Sequence, residues 1–317
     1  LSPDLSYVEA AVKSIAPVLT KGNLIVLEST SPVGTTELMC KWIKEIRPDL
    51  TLPTDSNSPD LHVAYCPERV LPGKVVHELI SNDRIIGGLT AACSELAKAL
   101  YSTFVAGELL VTDARTAEMS KLTENAFRDV NIAFANELSM IADVIGVDVW
   151  DVIRLANRHP RVNILQPGPG VGGHCIAVDP WFIVSSAPEE SRLIRTAREV
   201  NDAKPHWVID KVRAKAERFK DPVIGCLGLT FKANIDDLRE SPSMEIVKML
   251  IDGGVGTVMA CDPNVGKDKA PFPLHDLKEV LKKADILLLL VDHHEFSEID
   301  TQVIKDKVVI DTKGVLR

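Results

Sequence analysis

Short, unbroken apolar runs set between helical periodicities recur in two separate stretches of this chain. Leu24-Ile25-Val26-Leu27, His62-Val63-Ala64-Tyr65 and Arg84-Ile85-Ile86-Gly87-Gly88 mark the first stretch. Val223-Ile224-Gly225-Cys226-Leu227, Thr257-Val258-Met259-Ala260, Ile286-Leu287-Leu288-Leu289 and Val308-Val309-Ile310 mark the second. A run without alternation is buried on both faces, the pattern of parallel strands covered by helices on each side. Helical spacing falls near 5–20, 35–46 and 91–103 in the first stretch, and near 276–283 in the second. The second stretch restarts with a helix from about Lys204 to Phe219. Another helix is opened by Ser241-Pro242 and stopped by Gly253-Gly254. Between the stretches lies the longest periodic segment, Ala114 to Ile145, with Met119, Leu122, Ala126, Phe127, Val130, Ala133, Phe134, Leu138 and Ile141 at helical spacing. The predicted fold class is α/β, two doubly wound Rossmann-like domains joined by a long central helix. The domains are expected at 1–108, 109–203 and 204–317.

A chain of 317 residues that is 45% hydrophobic buries a full core. Its longest apolar run, around Ile286 to Val291, is far short of a membrane span, so no membrane role is expected. A net charge of -9 disfavours nucleic acid. The six cysteines have no C-x-x-C spacing, which argues against zinc and against a disulfide framework and points to a reducing cytoplasm. No metal site is expected: His293 and His294 beside Asp292 read as the surface end of a strand.

The chemistry concentrates in Gly168-Pro169-Gly170-Val171-Gly172-Gly173-His174-Cys175-Ile176-Ala177-Val178-Asp179-Pro180-Trp181. Glycine permits close backbone approach, and a cysteine emerging from such a loop is exposed to donors that favour thiolate. The plain alternative is a tight turn beside a buried structural thiol. Gly168, Gly170 and Gly173 match the G-x-G-x-x-G dinucleotide fingerprint, which needs a strand before and a helix directly after. Prolines bound the approach and Pro180 interrupts the segment beyond the glycines, so the match is rejected.

Three more segments carry reactive groups. Glu28-Ser29-Thr30-Ser31-Pro32-Val33-Gly34-Thr35-Thr36 joins a strand to a helix, and its hydroxyls either cap that helix or meet a ligand. Tyr65-Cys66-Pro67-Glu68-Arg69 leaves a strand end with a carboxylate. Lys121 and Asn125 lie one turn apart on one face of the long helix. In the second stretch, ligands of such a sheet sit beyond the carboxyl ends of its strands, which puts Lys232, Arg239, Asp262 and Lys313 on a common rim. For each of these charges, a solvated loop is the plain alternative. A nucleophilic cysteine, a lysine with an asparagine, and a carboxylate suit oxidation of an alcohol through an aldehyde to a carboxylate.

Ser29-Thr30-Ser31-Pro32-Val33-Gly34, Pro67-Glu68, Ala117-Glu118-Met119-Ser120-Lys121-Leu122-Thr123-Glu124-Asn125, Gly172-Gly173-His174-Cys175 with Asp179, and Phe231-Lys232 with Arg239-Glu240-Ser241 together resemble the nucleotide-sugar 6-dehydrogenases over essentially the whole chain. The segment Asn157–Gly170 narrows the resemblance to members acting on a UDP-linked N-acetylhexosamine. The resemblance implies a four-electron oxidation at sugar C6 with NAD as cofactor and a UDP-sugar as substrate. It makes Cys175 the carrier of a thiohemiacetal and then a thioester, and Lys121 and Asn125 the oxyanion donors. Asp179 and Thr30 position water or shuttle protons, and Glu68 assists hydrolysis. Gly172, Gly173, His174, Phe231 and Lys232 would contact the UDP-sugar. Ser31, Pro32, Val33, Arg239 and Lys313 would contact NAD, with Lys232 and Arg239 meeting diphosphate. A homodimer or higher homo-oligomer through the central helix is implied, with Arg161, or Arg158, reaching into the partner's sugar pocket.

Two departures from the family accompany this. Pro72 stands where relatives often carry a second glutamate, and no glycine-rich strand–turn–helix opens the sequence, so the first domain reads as truncated and weak NAD binding is expected. The competing classes are a dehydrogenase of another sugar such as UDP-glucose or UDP-N-acetylglucosamine, a noncatalytic UDP-sugar-binding module, and a cysteine hydrolase pairing Cys175 with His174.

Overall fold

The computed structural model describes residues 3–56, 58–70, 75–173 and 175–316. Two compact units emerge, one of residues 1–126 and 179–192, the other of residues 127–178 and 193–317. The first unit orders its strands β1 (Leu24–Leu27), β2 (His62–Tyr65), β3 (Arg84–Gly88) and β4 (Leu109–Asp113) side by side. Its helices are α1 (Ser6–Ile15), α2 (Thr35–Ile46), α3 (Val75–Ser81) and α4 (Ala91–Tyr101), followed by α5 (Ala114–Ile145), which continues into the second unit. At about 1.5 Å per residue, its 32 residues span roughly 48 Å. The second unit adds α6 (Val149–Ala156), and the chain returns to the first unit for α7 (Asp179–Ser186).

The rest of the second unit is α8 (Arg192–Ala216), β5 (Val223–Leu227), α9 (Pro242–Asp252), β6 (Thr257–Cys261), α10 (Leu277–Lys283), β7 (Ile286–Leu289) and β8 (Val308–Asp311), with two short helices before β8. Its sheet has the order β6-β5-β7-β8 and is parallel throughout. Alternate side chains of its strands enter two cores. Ile224, Cys226, Ile286 and Leu288 pack with Val208, Val212, Ile246 and Leu250 on one face. Leu227, Met259, Leu287 and Leu289 pack with Val280 and Ala284 on the other. Ser241 caps α9 by accepting the Met244 amide, with Pro242 in the first turn, as its sequence predicts. Among the described residues no helix is long and apolar enough to cross a membrane.

Five sequence expectations are corrected. The first sheet is parallel except between β2 and β3, which run antiparallel with Ala64 opposite Gly88 and Tyr65 opposite Gly87. Continuous apolar runs report burial on two faces and carry no information about direction. The helix expected from Lys204 begins at Arg192 and runs through Pro205. Pro180 does not interrupt a helix but stands second in α7, where its missing amide costs nothing. His293 is fully buried rather than at the surface, because Asp262 Oδ2 lies 3.0 Å from its Nε2 and the Asn234 amide donates to its Nδ1 at 3.0 Å. That pairing makes Asp262 a buried support of the loop after β5 rather than an open rim residue.

Candidate active site

The first four residues of any helix present amides without intrahelical acceptors. In α2 the capping position is Gly34, at φ 97°, and no side chain of the preceding segment caps it. The Ser31 hydroxyl donates to the Ser29 carbonyl at 3.0 Å, and the Thr35 hydroxyl to the Pro32 carbonyl at 2.7 Å. The acceptor comes instead from α5. Glu118, fully buried, accepts from the Gly34 amide at 2.6 Å, the Thr36 amide at 2.8 Å and the Thr36 hydroxyl at 2.6 Å. Burial pushes its carboxyl above the ordinary range, with the bonds from Thr36 and Gly34 pulling the other way.

Farther along α5, Asn125 Nδ2 donates to Asp179 Oδ2 at 2.5 Å. Asp179 is the buried first residue of α7, where the helix dipole favours its negative charge. Lys121 lies half-buried one turn before Asn125. Glu124, beside Asn125, pairs with Arg69 at 2.7 Å and so ties the loop carrying Glu68 to the same helix. Glu118, Glu124 and Asn125 thus bind three separate segments to one stretch of α5, the segments that carry Thr30, Glu68 and Asp179.

Glu68 has both oxygens engaged. Oε1 accepts the Arg69 and Val70 amides at 2.7 and 3.0 Å, and Oε2 lies 3.4 Å from Arg84 Nη1. Extending the β2–β3 register past its last pair sets Glu68 opposite Arg84, the first residue of β3. Arg84 is buried, 3.6 Å from Glu28 as well and 5.0 Å above the Tyr101 ring, while Tyr101 donates to Glu28 at 2.5 Å. Neither Arg84 nor Glu118 was assigned a role from sequence. The usable signal for Glu118 was a helix start with no Ser, Thr, Asp or Asn at its capping position.

Apart from Ser31, Pro32 and Val33, the remaining candidates belong to the second unit. Cys175 is exposed in a turn whose Val178 amide donates to its carbonyl at 3.1 Å, whereas the other five cysteines are buried. Burial pushes the thiols of Cys40, Cys66, Cys226 and Cys261 up to about 12, leaving them protonated and inert. The glycines before Cys175 serve close packing. A Cβ on Gly172 would meet the Glu240 carbonyl at 2.3 Å and Pro242 Cδ at 2.6 Å. Gly173, at φ 83°, lies where a Cβ would stand 3.1 Å from the Phe231 ring. The loop therefore rests directly on the segment carrying Phe231 and Lys232.

Arg158 and Arg161 are exposed on a loop closed at its base by Asn157, whose side chain bonds both the amide and the carbonyl of Ile164 at 2.7 and 3.0 Å. Lys232 is exposed; Arg239 is held by Asp237 at 2.7 Å, and Lys313 by Asp292 at 3.2 Å. His174 and Pro72 lie outside the described residues.

The residues expected to hold NAD divide in the same way. Ser31 and Pro32 are buried and Val33 is half-buried. Because a carboxylate already takes the Gly34 and Thr36 amides, these two donors at the start of α2 are not open to a phosphate.

Residues 1–105, 115–203 and 225–317 match the NAD-binding, central and UDP-binding domains of the UDP-glucose/GDP-mannose dehydrogenase family. The NDP-N-acetyl-D-galactosaminuronic acid dehydrogenase of Ralstonia nicotianae is 63% identical, over 99% of this chain and 75% of its own length. The UDP-N-acetyl-D-mannosamine dehydrogenase of Salmonella typhi is 58% identical, over 99% of this chain and 78% of its own. Among solved structures, the UDP-D-ManNAc dehydrogenase of Pyrococcus horikoshii is similar with a TM-score of 0.89 at 40% identity, covering 100% of this chain and 75% of that one.

Proposed function

The chain belongs to the UDP-glucose/GDP-mannose dehydrogenase family, and from that premise we propose that it oxidises C6 of UDP-N-acetyl-D-mannosamine to the uronate through Cys175. It is an NAD-dependent nucleotide-sugar dehydrogenase. NAD, when bound, accepts the hydride lost from C6 at each of the two oxidations. The observation that carries this reading is the Asn125–Asp179 hydrogen bond of 2.5 Å one helical turn beyond Lys121.

The first oxidation removes a hydride from C6 and a proton from its hydroxyl, leaving an aldehyde. The Cys175 thiolate adds to that carbon and forms a thiohemiacetal. Loss of the second hydride, with the hemiacetal proton, gives a thioester, and water breaks its carbon–sulfur bond to release the carboxylate and the thiol. At each stage the C6 oxygen carries developing negative charge. The Lys121 ammonium and the Asn125 amide are the donors assigned to it, each worth roughly 3 kcal/mol in a preorganised site. Asp179 orients the Asn125 amide and takes the proton of the attacking water, with Thr30 as relay. Glu68, with both oxygens bonded, is assigned to orienting that water rather than to deprotonating it.

Phe231, Lys232 and the Gly172-Gly173 backbone are assigned to the nucleotide sugar, and Arg239 and Lys313 to phosphate of the cofactor. The proposed assembly is a homodimer through α5, where Phe127, Phe134 and Ile141 recur every seven residues and are 67%, 55% and 49% exposed. Arg161 is the candidate to enter the partner's pocket. The slightly higher identity to the Ralstonia enzyme favours a second reading, in which the sugar is that of an N-acetyl-D-galactosaminuronic acid product.

NADH formation by the full-length protein, measured across a panel of UDP-sugars, tests the proposal. Two NADH per uronate with UDP-N-acetyl-D-mannosamine supports it, and turnover confined to the galactosamine epimer supports the second reading. A Cys175→Ser variant that still makes uronate at the normal rate excludes the thioester route.

A further inference from the structure

We propose that Glu118 is a positioning residue for this reaction, holding the Thr30 turn against the face of α5 that presents Lys121 and Asn125. The inference rests on the functional reading above, because it takes those three residues as the ones that meet the substrate.

Three observations carry it. First, the cap spans a long sequence separation: Glu118 and Gly34 are 84 positions apart, so the contact fixes one element on another rather than closing a local turn. Second, the carboxylate is saturated on the α2 side. Both of its oxygens are used, by two amides and one hydroxyl, at 2.6 to 2.8 Å and in full burial. Charge-assisted bonds of this length, made at the positive end of a helix, are strong and directional. Third, Glu118 precedes Lys121 by three residues and Asn125 by seven, which keeps all three on one face of the helix. The Thr30 turn runs directly into the capped end of α2; apolar packing of Ala114 and Ala117 holds α2 on α5 as a whole, and Glu118 supplies the buried polar contact at the end of α2 that adjoins the turn.

The surroundings leave Glu118 little freedom to adjust. A Cβ on Gly87 would stand 2.5 Å from the Ala117 side chain, so β3 already lies as close to α5 as the backbone permits. An ion pair between α5 and α2, Arg115 to Glu37 at 3.0 Å, is exposed and contributes little.

Glu118→Gln preserves volume but turns an amide NH2 toward groups that are themselves donors, so one side of the cap opens. A positioning role predicts that kcat falls about 10- to 100-fold while KM for the nucleotide sugar stays within about threefold, since misplacement by 1 Å costs turnover on that scale. Glu118→Asp, which keeps both acceptors on a shorter arm, recovers part of the loss. Thr36→Val removes the hydroxyl bond alone and reproduces a smaller share of the kcat effect. Arg115→Ala leaves turnover unchanged.

A folded Glu118→Gln enzyme with wild-type kcat overturns the inference, as does a rise in KM with kcat intact. If Glu118→Gln fails to fold, Thr36→Val decides, and unchanged kcat in that variant overturns it. Lys121→Met separates this from failure of the underlying reading. If Lys121→Met retains normal turnover, the assignment of the active site is wrong; if it loses turnover while Glu118→Gln and Thr36→Val do not, only the role of Glu118 is wrong.

Discussion

Asn125 and Asp179 stand 54 positions apart in sequence and share a 2.5 Å hydrogen bond that joins the long helix to the start of α7. Replacing Asn125 by Asp sets two carboxylates in contact, and like charges at that distance force one of them to hold a proton. Asn125→Asp is expected to lower kcat about 10²- to 10³-fold, the usual loss for one oxyanion donor. Steady-state NADH formation checks this, and a variant within threefold of wild type removes Asn125 from the machinery.

Gly172 packs where any side chain collides with the Glu240 carbonyl at 2.3 Å. Backbone cannot swing aside as a flexible side chain can, so Gly172→Ala is expected to cost about 1–3 kcal/mol, the usual range for overpacking. Thermal melting reads the loss. An unchanged melting temperature shows that the loop lifts off its support without penalty.

Lys204 is only 2% exposed, donates to Ser139 at 2.7 Å and lies 3.8 Å from the Trp207 ring centroid. Burial pushes its ammonium down to about 7 from 10.5; Lys211 pushes the same way and Asp143 opposes. Between those two values the unfolded chain holds a proton that the native state has released. Native stability therefore gains from Lys204 as pH rises through that window, by at most about 1.4 kcal/mol per pH unit, and below about pH 7 the burial penalty is fully present. Lys204→Met removes this pH-dependent gain and is more stable than wild type near pH 6.5. Urea midpoints of both proteins at several pH values provide the check; parallel curves contradict it.

Phe134 projects from the middle of the exposed stripe on α5. If that stripe is the subunit interface, Phe134→Glu places a charge in an apolar contact and drives the assembly toward monomer. Light scattering measures the mass directly, and an unaltered oligomer assigns the interface elsewhere.

The strands and the long helix were legible because burial on both faces writes continuous apolar runs, and burial of one stripe writes a 3.6-residue period. Ala114 to Ile145 came out with its boundaries intact. The direction of β3 was not legible, since apolar runs do not encode which way a strand points. His293 was misread because the carboxylate and the asparagine that let an imidazole be buried come from other loops. Glu118 escaped for the same reason: its partners lie more than eighty positions away, and a lone glutamate in a helix otherwise looks solvated.

The bare backbone at Gly172 and Gly173 makes one continuous floor out of the thiol's loop and the stretch bearing Phe231. Under the proposed assignment, a nucleotide sugar held at Lys232 leans on the same floor from which Cys175 rises. Whether the nucleotide end of a ligand has arrived should be audible at the sulfur, as a changed rate of alkylation, before any carbon has been oxidised.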